Sequence, residues 1–128
     1  MKFAKYTFLA AGIWGILVII PPYFLETRIG LDNPPPITHP EYFYGFNGAV
    51  LAWQVLFLII SRDPIRYRPA MVAAMLEKAG FVIAVPILFL QGRVGAPVLY
   101  FCFIDLVLGI LFLVSYLKTP SRQISYEV

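Results

Sequence analysis

Cysteine and histidine are almost absent from this chain, which has one of each, Cys102 and His39, among its 128 residues. A single cysteine excludes an internal disulfide, a CxxC redox pair and a metal site built from several thiolates of one chain. A single histidine excludes a haem held by two histidines of the same chain. We therefore expect no metal site and no cofactor.

Charge is also scarce, at 13% of residues, whereas 60% of residues are hydrophobic and the mean hydropathy is +0.79. A soluble domain of this length cannot bury so much apolar surface. Four apolar stretches approach the ~20 residues that a helix needs to cross a bilayer. They cover about residues 6–25, 42–60, 70–90 and 96–117. The sequence thus predicts one all-α integral membrane domain over residues 1–128, an antiparallel up-down bundle of four transmembrane helices with short connectors.

The distribution of Lys and Arg predicts how the bundle is oriented. Seven lie at the N-terminus, in the second connector and in the tail, and two lie in the first and third connectors. Because positive residues favour the cytoplasmic side, we expect a multi-pass protein of the cell membrane with both termini in the cytoplasm. These residues flank the spans, where anionic lipid headgroups are the expected partners. The net charge of +3 then gives no reason to expect nucleic acid binding.

The one long connector, residues 26–41, is predicted to lie on the outer side. Its three consecutive prolines, Pro34 to Pro36, favour an extended polyproline conformation and predict a stiff strap. Two interpretations stay open: a lid over the outer mouth of the bundle, or a spacer that joins two helices.

Polar residues interrupt the apolar stretches at a common depth. Counted from the outer ends of their helices, Gln54, Glu77, Lys78 and Asp105 fall within roughly 6 Å of one another along the membrane normal, at 1.5 Å rise per residue. Asn47 shares a helical face with Gln54. Intramembrane carboxyls are costly and often mark routes for substrates, ions or protons. The sequence therefore predicts a polar cluster near the middle of the membrane.

Two arrangements of the charged residues are open. In the first, Lys78 pairs with Asp105 and leaves Glu77 neutral and bonded to Gln54 or Asn47. In the second, the two carboxyls share a cavity and a proton while Lys78 reaches the flank of its helix. In both, Asp105 lies within direct or one-water reach of Glu77 or Lys78. The candidate catalytic residues are Glu77 and Asp105. The candidate ligand-binding residues are Glu77, Asp105, Gln54, Asn47, Lys78 and Trp53, and the simpler alternative is that they only hold the bundle together.

The run "FYGFNGAVLAWQVLFLIISRDPIRYRP", followed by "LEKAGF" and "DLVLG", resembles small four-helix bacterial membrane proteins of uncharacterised function. This resemblance covers about residues 42–110 and implies a bacterial inner membrane location, but no activity. The two mid-membrane carboxyls are also similar in kind to those of the sterol isomerase and sigma-2 receptor (EXPERA) family. That likeness implies a cavity in which Glu77 and Asp105 contact a sterol or an amine. The chain lacks an intramembrane histidine to act as a partner acid for isomerisation.

Three functions from different classes follow. The first is binding of a lipophilic or amphipathic small molecule, whose enzymatic version uses Glu77 or Asp105 as a general acid on a lipid or isoprenoid. The second is an accessory or structural subunit of a larger membrane complex. The third is a proton-linked small carrier that works as a homo-oligomer.

Overall fold

The computed structural model describes residues 2–122, and its regular structure within that range is entirely helical. Four long helices are each long and apolar enough to cross a membrane, and a short helix, α2, follows the first of them. The helices are α1 (Lys2–Ile19), α2 (Glu26–Asp32), α3 (Pro40–Arg62), α4 (Ala70–Leu90) and α5 (Ala96–Lys118), and one 3-10 turn (Pro21–Phe24) lies between α1 and α2.

Proline and glycine set the boundaries of the long helices. Pro40 is the first residue of α3, where its missing N–H costs no helical hydrogen bond. Pro97 lies in the first turn of α5 for the same reason. The turn after α4 contains Gly92 with a φ of +70°, a backbone conformation that L side chains rarely adopt. The four spans predicted from hydropathy therefore correspond to the four long helices. Three of these helices match the predicted limits to within two residues, whereas α1 begins four residues before its predicted start and ends at Ile19, six residues before its predicted end.

The connector between α1 and α3 differs from the predicted strap. Its first part, Glu26–Asp32, is a helix rather than extended chain, and only the part that contains the prolines lacks regular structure. An exposed ion pair lies along this helix: Arg28 Nε donates to Asp32 Oδ2 at 3.0 Å, one helical turn away. In addition, the Tyr44 hydroxyl donates to Glu26 Oε2 at 2.8 Å and ties the start of α2 to the start of α3.

The four long helices form a ring in the order α3, α1, α5, α4. α1 packs along α3 and α4 packs along α5, α1 also contacts α5, and α3 and α4 have the weakest contact of the neighbouring pairs. Contacts along the helices define the register. A Cβ at Gly12 would meet Leu58 and a Cβ at Gly15 would meet Gln54, so the second half of α1 lies against residues 54–58 of α3.

Three phenylalanines fill the space between the helices over one half of the bundle's length. Phe8 of α1 stacks on Phe112 of α5 with ring centres 4.3 Å apart, and Phe57 of α3 meets Phe112 edge-on at 5.0 Å. Met71 and Ala74 of α4 are fully buried in the same cluster. All four long helices thus meet in a packed core at one end of the bundle, the end that contains the first half of α1 and the second half of α3.

Candidate functional site

Over the other half of the bundle's length, the space between the helices is not filled by side chains. A cavity of about 650 Å³ lies there, between the second half of α1 and the first half of α3 on one side and α4 and α5 on the other. Its size is within the range of small-molecule sites, which is roughly 300–1,000 Å³. The residues that line it are Trp14, Gly15, Val18, Ile19, Phe46, Ala49, Val50, Trp53, Gln54, Glu77, Lys78, Gly80, Phe81, Ala84, Val98, Phe101, Ile104 and Asp105.

Lys78 lies between two carboxylates in this cavity. Its Nζ is 3.2 Å from Asp105 Oδ1, to which it donates a hydrogen bond, and 3.5 Å from Glu77 Oε2. The Lys78 side chain is 7% exposed, against 16% for Glu77 and 21% for Asp105. Nζ also lies 5.5 Å from the ring centre of Phe57, so the charged group sits directly beside the packed phenylalanine core.

This geometry agrees with the first of the two open arrangements only in part, since Glu77 makes no hydrogen bond to Gln54 or Asn47 among the described residues. Asp105 is paired directly with Lys78, as predicted. Glu77 and Lys78 are neighbours in sequence and leave the helix ~100° apart, yet the long lysine stem brings Nζ back to within 3.5 Å of Glu77 Oε2. At that distance Oε2 has a charge partner but no hydrogen bond of acceptable geometry, from Lys78 or from any other described residue.

Gln54 is held in place by its own helix and by a glycine opposite. Its Nε2 donates to the Val50 carbonyl at 3.0 Å, which fixes the amide, and the residue is 1% exposed. Its Oε1 is buried and accepts no hydrogen bond from the described residues. Any Cβ at Gly15 would overlap Oε1, so the absence of a side chain at residue 15 is what allows Gln54 to take this position.

The remaining walls are apolar and rich in aromatic rings. Phe46 and Trp53 come from α3, Phe81 from α4, Phe101 from α5 and Trp14 from α1. A cavity with apolar walls and a few convergent polar groups is typical of sites for small organic molecules.

Five of the six predicted ligand-binding residues line this one cavity, namely Gln54, Glu77, Lys78, Asp105 and Trp53. Asn47 is buried but does not line it, and its Nδ2 has no hydrogen-bond partner among the described residues. The aromatic walls at Phe46, Phe81 and Phe101 were not predicted, because a phenylalanine in a membrane helix carries no signal that separates a cavity wall from a lipid-facing position.

Metal binding finds no support in the part of the chain that the structure describes. Between residues 2 and 122, no group of three or more His, Cys, Asp or Glu side chains is arranged to hold a metal ion. Cys102 is buried, and its Sγ lies 3.9 Å from the Val82 carbonyl.

No protein-family model, curated protein or solved structure matches this chain. The function is therefore inferred from the geometry of the site alone.

Proposed function

We propose that this chain is an integral membrane protein, an up-down bundle with both termini in the cytoplasm, that binds a lipophilic or amphipathic small molecule in the cavity between its four long helices. In this orientation the packed phenylalanine core lies in the cytoplasmic half of the membrane and the cavity lies in the outer half.

The surface of the helices supports the membrane assignment. Large apolar side chains on all four long helices point away from the bundle, among them Leu17, Val55, Leu76 and Leu117, which are 67%, 45%, 68% and 70% exposed. A soluble monomer rarely exposes contiguous apolar surface on this scale. In a bilayer these apolar side chains contact lipid instead of water, so their exposure carries no free-energy cost. The contacts inside the bundle are then sufficient to hold the helices together.

One observation carries the binding assignment: an apolar, aromatic-walled cavity of about 650 Å³ is also lined by three charged residues, Glu77, Lys78 and Asp105. Polar residues that serve only to join helices pack against one another, whereas these charged residues border a space large enough for a ligand. An amphipathic molecule fits such a site, with its hydrocarbon part against the aromatic walls and its polar group beside the charges.

The position of Lys78 argues against the proton-carrier and general-acid functions. Its ammonium lies within 3.5 Å of both carboxylates, an arrangement that favours ion pairing over a proton shared between Glu77 and Asp105. Proton transport and general-acid chemistry are therefore second to binding. An accessory-subunit role has no comparable feature in its favour, since the polar groups do not close the cavity.

A variant that fills the cavity tests the proposal. Gly80 lines the cavity with nothing within 4 Å of its Cβ position, so Gly80→Phe adds a ring at the cavity wall without a clash at Cβ. Gly45 is the matched control, since its Cβ position is equally open but lies outside the cavity lining. We expect native mass spectrometry of protein extracted in mild detergent to show a co-purified lipophilic molecule in the wild type and in Gly45→Phe, and none in Gly80→Phe.

Equal occupancy in both variants would place the molecule elsewhere on the surface. A defined assembly with other subunits and no small molecule would instead support the accessory-subunit function.

A further inference from the structure

We infer that Arg68 forms a headgroup site for one anionic phospholipid, at the end of the bundle that is remote from the cavity. The inference uses the membrane assignment made above but does not depend on a ligand in the cavity. A general attraction between basic residues and anionic lipid needs no particular residue, whereas this site depends on the way in which Arg68 is held.

Arg68 lies in the turn between α3 and α4 and is fixed against the end of α5. Its Nε donates to the Tyr116 carbonyl at 3.2 Å, and its Cζ lies 3.8 Å from the centre of the Tyr116 ring. The Tyr116 carbonyl is one of the last in α5, where carbonyls have no partner within the helix. The hydrogen bond and the ring contact together hold the guanidinium in one orientation.

The rest of the guanidinium is available to a ligand. Within residues 2–122, the two Nη groups of Arg68 donate no hydrogen bond and the side chain pairs with no carboxylate. The planar fork of an arginine matches two oxygens of a phosphate group. Because the fork is already oriented, little side-chain entropy is lost when a phosphate binds.

The charges around Arg68 favour an anionic lipid over a zwitterionic one. Arg66 and Lys118 lie near aromatic rings, at 5.5 and 4.7 Å from the ring centres, and pair with no carboxylate of the described chain. Asp63 is the one acidic residue of the turn, and it accepts a hydrogen bond from the backbone N–H of Arg66. Attraction to anionic lipid grows with each such cation. A choline headgroup would add a further positive charge beside them, whereas a glycerol headgroup would not.

Apolar surface beside the site provides for the acyl chains. Val72 and Leu76 near the start of α4 are exposed, as are Leu113 and Leu117 near the end of α5. The Tyr116 ring lies at the level of the membrane interface, where tyrosine is enriched. A soluble phosphate would gain nothing from this apolar surface. We therefore assign the site to a lipid, with its phosphate at Arg68 and its chains along the helices.

Native mass spectrometry from mixed micelles measures the lipid that the protein retains. The full chain is equilibrated with equal amounts of phosphatidylglycerol and phosphatidylcholine that have identical acyl chains. The measurement is repeated with Gly80→Phe, so that lipid in the cavity is not counted. We expect one phosphatidylglycerol per chain to be retained, with a preference over phosphatidylcholine of about tenfold or more.

A pair of variants tests the residue. Arg68→Gln should abolish the preference for phosphatidylglycerol, because it removes the oriented fork. Arg62→Gln is the matched control, since this arginine is exposed at the end of α3 and its loss removes the same charge. It should keep most of the preference. Glycerol phosphate, the soluble headgroup, should not displace the lipid at the same concentration.

Each failure has its own meaning. Equal losses in Arg62→Gln and Arg68→Gln would show attraction by diffuse charge and no site at Arg68. A less stable Arg68→Gln that keeps the preference would show that Arg68 only braces the end of α5. Displacement by glycerol phosphate would show a site for soluble phosphate.

Equal retention of the two lipids by the wild type would overturn the inference without any variant, so a variant that fails to fold does not leave it undecided. None of these outcomes bears on the cavity. Its occupant is tested separately by the comparison of Gly80→Phe with Gly45→Phe.

Discussion

Lys78 is expected to stabilise the bundle more than either carboxylate that it contacts. At N–O separations of 3.2 and 3.5 Å and an effective dielectric constant of about 20, each attraction is worth about 5 kcal/mol before the cost of desolvation. The two attractions are thus nearly equal, and Lys78 is the member that takes part in both. Removal of one carboxylate leaves the ammonium paired, whereas removal of the ammonium leaves two like charges together.

Lys78→Met should therefore lower the free energy of unfolding by about 3–5 kcal/mol, the usual cost of stranding buried charge. Asp105→Asn should cost about 1–3 kcal/mol, because Lys78 keeps Glu77 as a partner and the charge that is removed no longer has to be desolvated. The double variant should be less destabilised than the sum of the two, with a coupling of about 1–3 kcal/mol.

Unfolding in mixed micelles with increasing SDS, followed by near-UV circular dichroism, measures these free energies. Lys118→Met is the control, since this lysine is exposed at the end of α5, its Nζ lies 4.7 Å from the ring centre of Phe3, and it pairs with no carboxylate within residues 2–122. Exposed positions change stability by about 0.5 kcal/mol or less. If Lys78→Met costs no more than Asp105→Asn, or if the two effects add fully, Lys78 does not bridge the carboxylates.

Two further predictions concern topology and the seating of Gln54. A cysteine placed at Thr38, in a chain that also carries Cys102→Ala, should react with an impermeant thiol reagent from the outer side, because the Lys and Arg asymmetry predicts that this connector lies outside. Reaction from the cytoplasmic side only would show that the predicted orientation is wrong. Gly15→Ala should lower the free energy of unfolding by about 1–3 kcal/mol, since its Cβ overlaps Gln54 Oε1, whereas Gly80→Ala, which meets open space, should not; equal stabilities would show that Gln54 can move aside without cost.

The four long helices could be predicted from the sequence because the requirement for a membrane-spanning helix is local. About twenty apolar residues in succession span the hydrocarbon whatever surrounds them, so four long helices could be read from composition, with ends marked by residues such as Pro40 and Gly92. The same locality exposed Glu77 and Asp105 as unusual, since a carboxyl in such a run is costly in any fold. The short helix α2 escaped prediction because seven residues are too few to show a clear period and the neighbouring prolines favoured extended chain.

What the tertiary structure decided depends on contacts between residues far apart in the chain. Nothing near Phe8 in sequence indicates that it stacks on Phe112. That contact fills one half of the bundle's interior, so the cavity lies in the other half. Helical spacing placed Asn47 and Gln54 on one face of α3, but in the folded bundle only Gln54 lines the cavity, where Gly15 of α1 leaves room for it. Lys78 reaches both carboxylates through the bend of its side chain, and residue spacing along a helix does not specify the path of a flexible stem.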